Sequence, residues 1–130
     1  MKILKNLSLT LFFLVPISES RADVFDQVVS ALQSGDMVKL ESYFAPKIEL
    51  QLPDGRVFFK NKEEVKKGLG EFIKANPAQK VQIKHRGPEG KQGFVIANYL
   101  NKAGVSYRLT IYMEGEGAEM RIRELKFENS

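Results

Sequence analysis

No cysteine occurs among these 130 residues, which excludes disulfides and thiolate metal sites together. Histidine is present once, as His85, and a lone histidine without a clustered carboxylate pair is a poor metal site. A Gly-rich phosphate loop, a dinucleotide fingerprint and a nucleophile elbow are missing as well. So are internal repeats, low-complexity tracts and any linker long enough to divide the chain. No metal and no cofactor is expected.

Long hydrophobic runs are scarce too. The longest, residues 7–17, follows Lys2 and Lys5 and precedes Ser20-Arg21-Ala22. It falls short of the roughly 20 residues that span a bilayer, and small residues stand at both cleavage-determining positions. Residues 1–22 therefore read as a secretory signal peptide, with export to the periplasm or beyond and no stable membrane insertion after cleavage. Its removal takes Lys2, Lys5, Arg21 and Glu19, so 20 basic and 16 acidic residues become 17 and 15. A formal charge of +2 argues against a nucleic-acid partner. The remaining residues, 23–130, suit one domain with one core.

What is present is strand pattern. Residues 93–102, 105–114 and 119–129 are rich in β-branched and aromatic residues and are separated by turn chemistry. The middle run alternates strictly. Val105, Tyr107, Leu109, Ile111 and Met113 share one face, and Ser106, Arg108, Thr110 and Tyr112 the other. An even-numbered loop before it would bring Phe94, Ile96, Asn98 and Leu100 to the apolar face. A three-residue loop with a bulge would bring Val95, Ala97 and Tyr99 instead. The even loop is preferred because it turns more apolar bulk inward. In the last run Met120 and Ile122 are in phase, then Leu125 and Phe127 resume one residue late. That slip predicts a β-bulge near Arg123 and Glu124 and a bent sheet.

Upstream, Val24, Phe25, Val28, Val29 and Leu32 form a helical stripe that Gly35 closes. Asp36 caps a short helix stopped by Pro46. Ile48, Leu50 and Leu52 alternate as a strand, and Pro53-Asp54-Gly55 turns the chain into Val57-Phe58-Phe59. Asn61 and Glu64 have capping-box spacing before a helix bearing Val65, Leu69, Phe72 and Ile73. Gly68 and Gly70 inside it imply close packing, since each costs roughly 1 kcal/mol against alanine. Asn76-Pro77 ends it, and Val81, Ile83 and His85 begin a further strand.

The order α-α-β-β-α-β-β-β-β gives an α+β class, with helices on the concave face of a curved, mainly antiparallel sheet. In that order, in the helix-Gly35-Asp36-helix opening and in the Phe44-Ala45-Pro46 exit, the chain resembles the nuclear transport factor 2-like (cystatin-like) superfamily, near its small exported bacterial domains of unknown function. The resemblance implies a cone of helices over the sheet. It also implies that isomerases and dehydratases, which use an acidic or His-Asp pair deep in the cone, share the fold with non-catalytic binding modules. No Asp falls on the projected inner face here.

That projected inner face carries three strongly polar side chains, His85, Asn98 and Tyr107. A few polar groups in an apolar cavity suit a small apolar ligand. The plainer alternative is that Asn98 and Tyr107 bond within an ordinary core. The projected outer face places Arg108, Arg121 and Arg123 among Tyr99 and Tyr112, residue types enriched at interfaces. A homodimer through that face is the corresponding expectation, since the resembled superfamily often pairs sheet to sheet. The leading reading is an exported non-catalytic domain binding a small apolar ligand or a protein. A lyase or isomerase using His85 with Tyr107, and a structural domain with a filled cone, are the alternatives.

Overall fold

The computed structural model describes residues 21–87, 92–116 and 119–130. Most of the expected signal peptide, residues 1–20, lies outside them. Among the described residues no helix is long and apolar enough to cross a membrane. The observed order is α1 (Arg21–Ser34), α2 (Met37–Ser42), β1 (Phe44–Gln51), β2 (Val57–Phe58), α3 (Lys62–Ala75), β3 (Ala78–Arg86), β4 (Gln92–Asn101), β5 (Ser106–Glu114) and β6 (Arg121–Asn129). This is the expected α+β order.

Local chemistry sets the helix ends. Gly35 takes φ 72°, a left-handed conformation that costs glycine little. Its N–H donates to Leu32 O at 3.2 Å while Asp36 N–H reaches Ala31 O at 3.0 Å, which closes α1. Asp36 then caps α2 by accepting Lys39 N–H at 3.0 Å. Asn61 caps α3 by accepting Glu64 N–H at 2.8 Å, and Glu64 in return accepts Lys60 N–H at 3.1 Å. Pro46 does not stop α2, because the helix ends at Ser42 and Pro46 lies inside β1.

The six strands form one sheet in the order β2-β1-β6-β5-β4-β3. All neighbours are antiparallel except β1 and β6, which run parallel. Helix α1 lies along β3, where Gln33 accepts Val81 N–H at 3.0 Å and so occupies a donor that an edge strand would otherwise present. The helices cover one sheet face, and Leu109, Ile111, Met113, Ile122, Leu125 and Phe127 are buried beneath them. The expected bulge in β6 is present: Tyr112 pairs with Glu124 and Met113 with Ile122, leaving Arg123 as the extra residue.

Strand β4 corrects the register expectation. Ala97 pairs with Leu109 and Tyr99 with Tyr107, so Val95, Ala97 and Tyr99 are buried in the core. Phe94, Ile96, Asn98 and Leu100 are half-buried on the outer face. The cause is a three-residue loop, Lys102 to Gly104, with Asn101 N–H bonded to Val105 O at 2.9 Å and Gly104 at φ 91°. Val105 is exposed outside the strand. One residue of loop length reverses every side chain of β4.

The two glycines of α3 differ. A Cβ at Gly68 would meet the Phe58 ring at 2.9 Å, whereas one at Gly70 would meet nothing within 4 Å. Close packing therefore explains Gly68 and not Gly70. Gly70→Ala should stabilise the domain by up to about 1 kcal/mol. Gly68→Ala should lose that gain to the clash with Phe58. Urea melts of the two variants check the contrast, and equal shifts would contradict it.

Candidate functional site

The cone interior is the first place to look. Phe72 of α3 meets Tyr107 edge-on at a ring distance of 5.4 Å, and packs at a tilt against Phe127 at 4.6 Å and Tyr99 at 6.1 Å. These rings pack against one another between helix and sheet, where a cone ligand would have to lie. Asn76, at the C-terminus of α3, gathers the polar groups beside them. Its carbonyl accepts the Tyr99 hydroxyl at 2.6 Å. Its Oδ1 accepts the Tyr107 hydroxyl at 3.2 Å and Asn101 Nδ2 at 3.0 Å. Its own Nδ2 donates to Phe72 O at 3.1 Å. The cluster is bonded to itself, as a helix end packed against a sheet requires.

Of the three expected ligand-binding residues, only Tyr107 belongs here. Asn98 pairs with Arg108 on the outer face, for the loop-length reason given above. His85 is turned outward by a bulge between Ile83 and His85. It is exposed, with its ring 6.0 Å from Phe94. The expected grouping of His85, Asn98 and Tyr107 is therefore not formed, nor is a pairing of His85 with Tyr107. Asn76 and Asn101 were missed, although Asn-Pro at a helix end and Asn three residues before Gly are readable signals.

Burial pushes the Tyr99 hydroxyl from 10.0 up to about 12, with neighbouring Tyr107 adding to the shift. The fold thus favours the protonated hydroxyl. The stability this contributes is complete below pH 10 and is lost as pH rises towards about 12. Tyr99→Phe should cost about 1 kcal/mol at neutral pH through the lost hydrogen bond. It should also remove part of the alkaline decline. Melting temperatures at pH 8, 10 and 11.5 check this, and parallel curves for both proteins would contradict it.

The interface expectation divides in the same way. Tyr99 is fully buried and cannot be a contact residue. Tyr112 is on the outer face, 41% exposed. Arg108 and Arg123 are exposed and Arg121 is half-buried. Because β4 is reversed, Phe94, Ile96 and Leu100 join Tyr112 and make this face more apolar than its own pattern suggested. The Phe94 and Tyr112 rings are 5.7 Å apart, so His85, Phe94 and Tyr112 form a short aromatic row.

Two hollows open beside this row, and a mismatch of strands makes them. Phe44 pairs with Ile122 and Glu49 with Glu124, so five steps along β1 match two along β6. Residues 45–48 have no partner in the ladder, and the bulged Arg123 lies opposite them. Bulges of this kind re-aim side chains and end pairing locally. The larger hollow, about 730 Å³, runs from Phe59 and Lys60 past Pro46, Lys47 and Glu49 to Glu114 and Arg123. The smaller, about 300 Å³, continues from Glu114 and Arg123 to Glu124, Tyr112 and Phe94. Glu114 accepts Arg123 Nη1 at 3.4 Å where the two meet, and Phe59 at the far end is 63% exposed. Among the described residues no three His, Cys, Asp or Glu side chains are grouped to hold a metal.

The family model for a domain of unknown function, DUF4783, matches residues 25–128. The chain belongs to the DUF4783 family. A DUF4783 protein of Bacteroides ovatus superposes with a TM-score of 0.71 at 20% identity, covering 80% of this chain and 93% of its own. A de novo designed protein with a curved β-sheet gives 0.71 at 17% identity, covering 85% and 100%. An uncharacterized Caulobacter vibrioides protein with a cystatin-like fold gives 0.64 at 10% identity, covering 84% and 86%. At these identities the likeness is one of fold, and the fold is the cone anticipated from element order. A comparison with curated proteins gave no match. Membership of the DUF4783 family brings no activity with it, so function has to be argued from the surface itself.

Proposed function

We propose that this DUF4783 domain is an exported, non-catalytic binding module that holds a polypeptide on the outer face of its sheet. One observation carries the reading. Phe72, Tyr99, Tyr107 and Phe127 pack together in the interior beside a self-bonded Asn76, while Phe59 and Tyr112 are exposed along a groove made of two adjoining hollows that share Glu114 and Arg123. An aromatic-rimmed concave surface with charges between the rings is what protein recognition uses. A small apolar ligand in the cone finds less support, because the rings pack together where it would have to lie. A second copy of the chain, docked through the same face, is one form the polypeptide can take.

The test is copurification from the protein's own host, read by native mass spectrometry. A polypeptide should accompany the wild type and be lost from Phe59→Glu combined with Tyr112→Glu. It should be retained by Val38→Glu, a control at another exposed apolar residue, 77% exposed. A small molecule retained by all three proteins would overturn the reading.

A further inference from the structure

The groove is unevenly charged, and the unevenness describes its occupant. At the Phe59 end, Lys47 and Lys60 line the larger hollow. The ion pairs among the described residues include neither of them, whereas Arg123 is engaged with Glu114 at 3.4 Å. Glu49 lines the same hollow and stands beside Glu124 in the register of β1 and β6, and Glu114 is shared by both hollows. The larger hollow thus sets Lys47, Lys60 and Arg123 against Glu49 and Glu114, and the smaller sets Arg123 against Glu114 and Glu124. The excess of positive charge lies in the hollow with the exposed phenyl ring. The opposite end is acidic and bordered by Phe94 and Tyr112.

We propose that the Phe59 end of the groove binds an acidic segment of a partner polypeptide, which rests on the outer-face reading above. A carboxylate of the segment bridges Lys47 and Lys60, and an apolar neighbour covers Phe59. Charge-assisted bonds of that kind are short and about twice as strong as neutral ones. An extended chain suits the site better than a compact small acid for two reasons. The groove runs on over Arg123 into the second hollow, and the carboxylates along it would repel an apolar tail. In addition, residues 45–48 have no partner in the β1–β6 ladder and all four line the hollow, and peptide recognition in sheets relies on main-chain groups left free of a ladder. Complementary charge also sets which way the segment lies and excludes basic chains.

The experiment is selection of a random dodecapeptide display library against the full domain, followed by fluorescence polarisation with the recovered peptides. Peptides enriched in Asp or Glu within two residues of an aromatic residue are expected. Their affinity should fall at least tenfold in Lys47→Glu with Lys60→Glu, several-fold in the milder Lys47→Ala with Lys60→Ala, and further as salt is raised. Basic peptides, or acidic ones indifferent to both lysine pairs, would overturn the inference, as would the absence of any enrichment. Peptides lost from Phe59→Glu with Tyr112→Glu but indifferent to the lysines would leave the outer-face reading standing and remove the acidic segment. Peptides that bind all these variants and are lost only from a Tyr107 variant would remove both.

Discussion

Leu109→Ala is expected to destabilise the domain by about 2–5 kcal/mol, the usual range for emptying a core leucine site. Leu109 is fully buried, with Ala97 opposite it on β4 and Phe127 opposite on β6. Helix α3 places Phe72 directly against Phe127, so the cavity would open at the centre of the helix–sheet interface, where the sheet cannot collapse around it. Thr110 is the contrast. It faces outward between Ile96 and Lys126, and although it is nearly covered by them, alanine there removes one methyl and one hydroxyl. A loss of about 1 kcal/mol or less is expected. Denaturant melts of both variants make the comparison, and equal losses would mean that the two faces have been misassigned.

Asn101→Ala is expected to cost about 2–3 kcal/mol, a large effect for a polar residue. Its Oδ1 accepts Ala103 N–H at 2.9 Å and Val105 N–H at 2.8 Å, and its Nδ2 donates to Asn76 Oδ1 at 3.0 Å. The first two bonds shape the three-residue loop, and the third ties that loop to the end of α3. Alanine removes all three at a site that is 4% exposed. Asn101→Asp keeps the acceptors and loses the donor, so it should recover part of the loss. If Asp were no better than Ala, the loop bonds would not be the source of the effect. The same residue decides the β4 register, so loss of Asn101 should also weaken protection of β4 amides in hydrogen exchange.

That register explains most of what the chain did and did not disclose. Element order was readable because Gly35, Asp36, Asn61 and Pro53-Asp54-Gly55 act through neighbours in sequence. The β6 bulge was readable for a similar reason, since the slip from Ile122 to Leu125 is visible within one strand. Strand β4 was ambiguous because both of its faces are apolar: Phe94, Ile96 and Leu100 oppose Val95, Ala97 and Tyr99. Counting apolar bulk favoured the first set, and the side chain of Asn101 settled the matter for the second. The consequence reached the candidate sites, exchanging Tyr99 for Asn98 between core and surface. The groove was not readable at all. It depends on β1 running parallel to β6, a pairing between strands near opposite ends of the chain, and Pro46, which lies inside β1, reads from sequence as the stop of the preceding helix.

The claim that matters most is that this domain recognises its partner on the outer face and not within the cone. Site-specific photocrosslinking in the native host tests it most directly. Benzoylphenylalanine would be placed in turn at Phe59, at Tyr112 and at Tyr107. Phe59 and Tyr112 border the groove, and Tyr107 lies against Phe72 in the cone. Crosslinks to one polypeptide from positions 59 and 112, with none from 107, are the predicted result. Crosslinks from position 107 alone would contradict it and return the search to the interior.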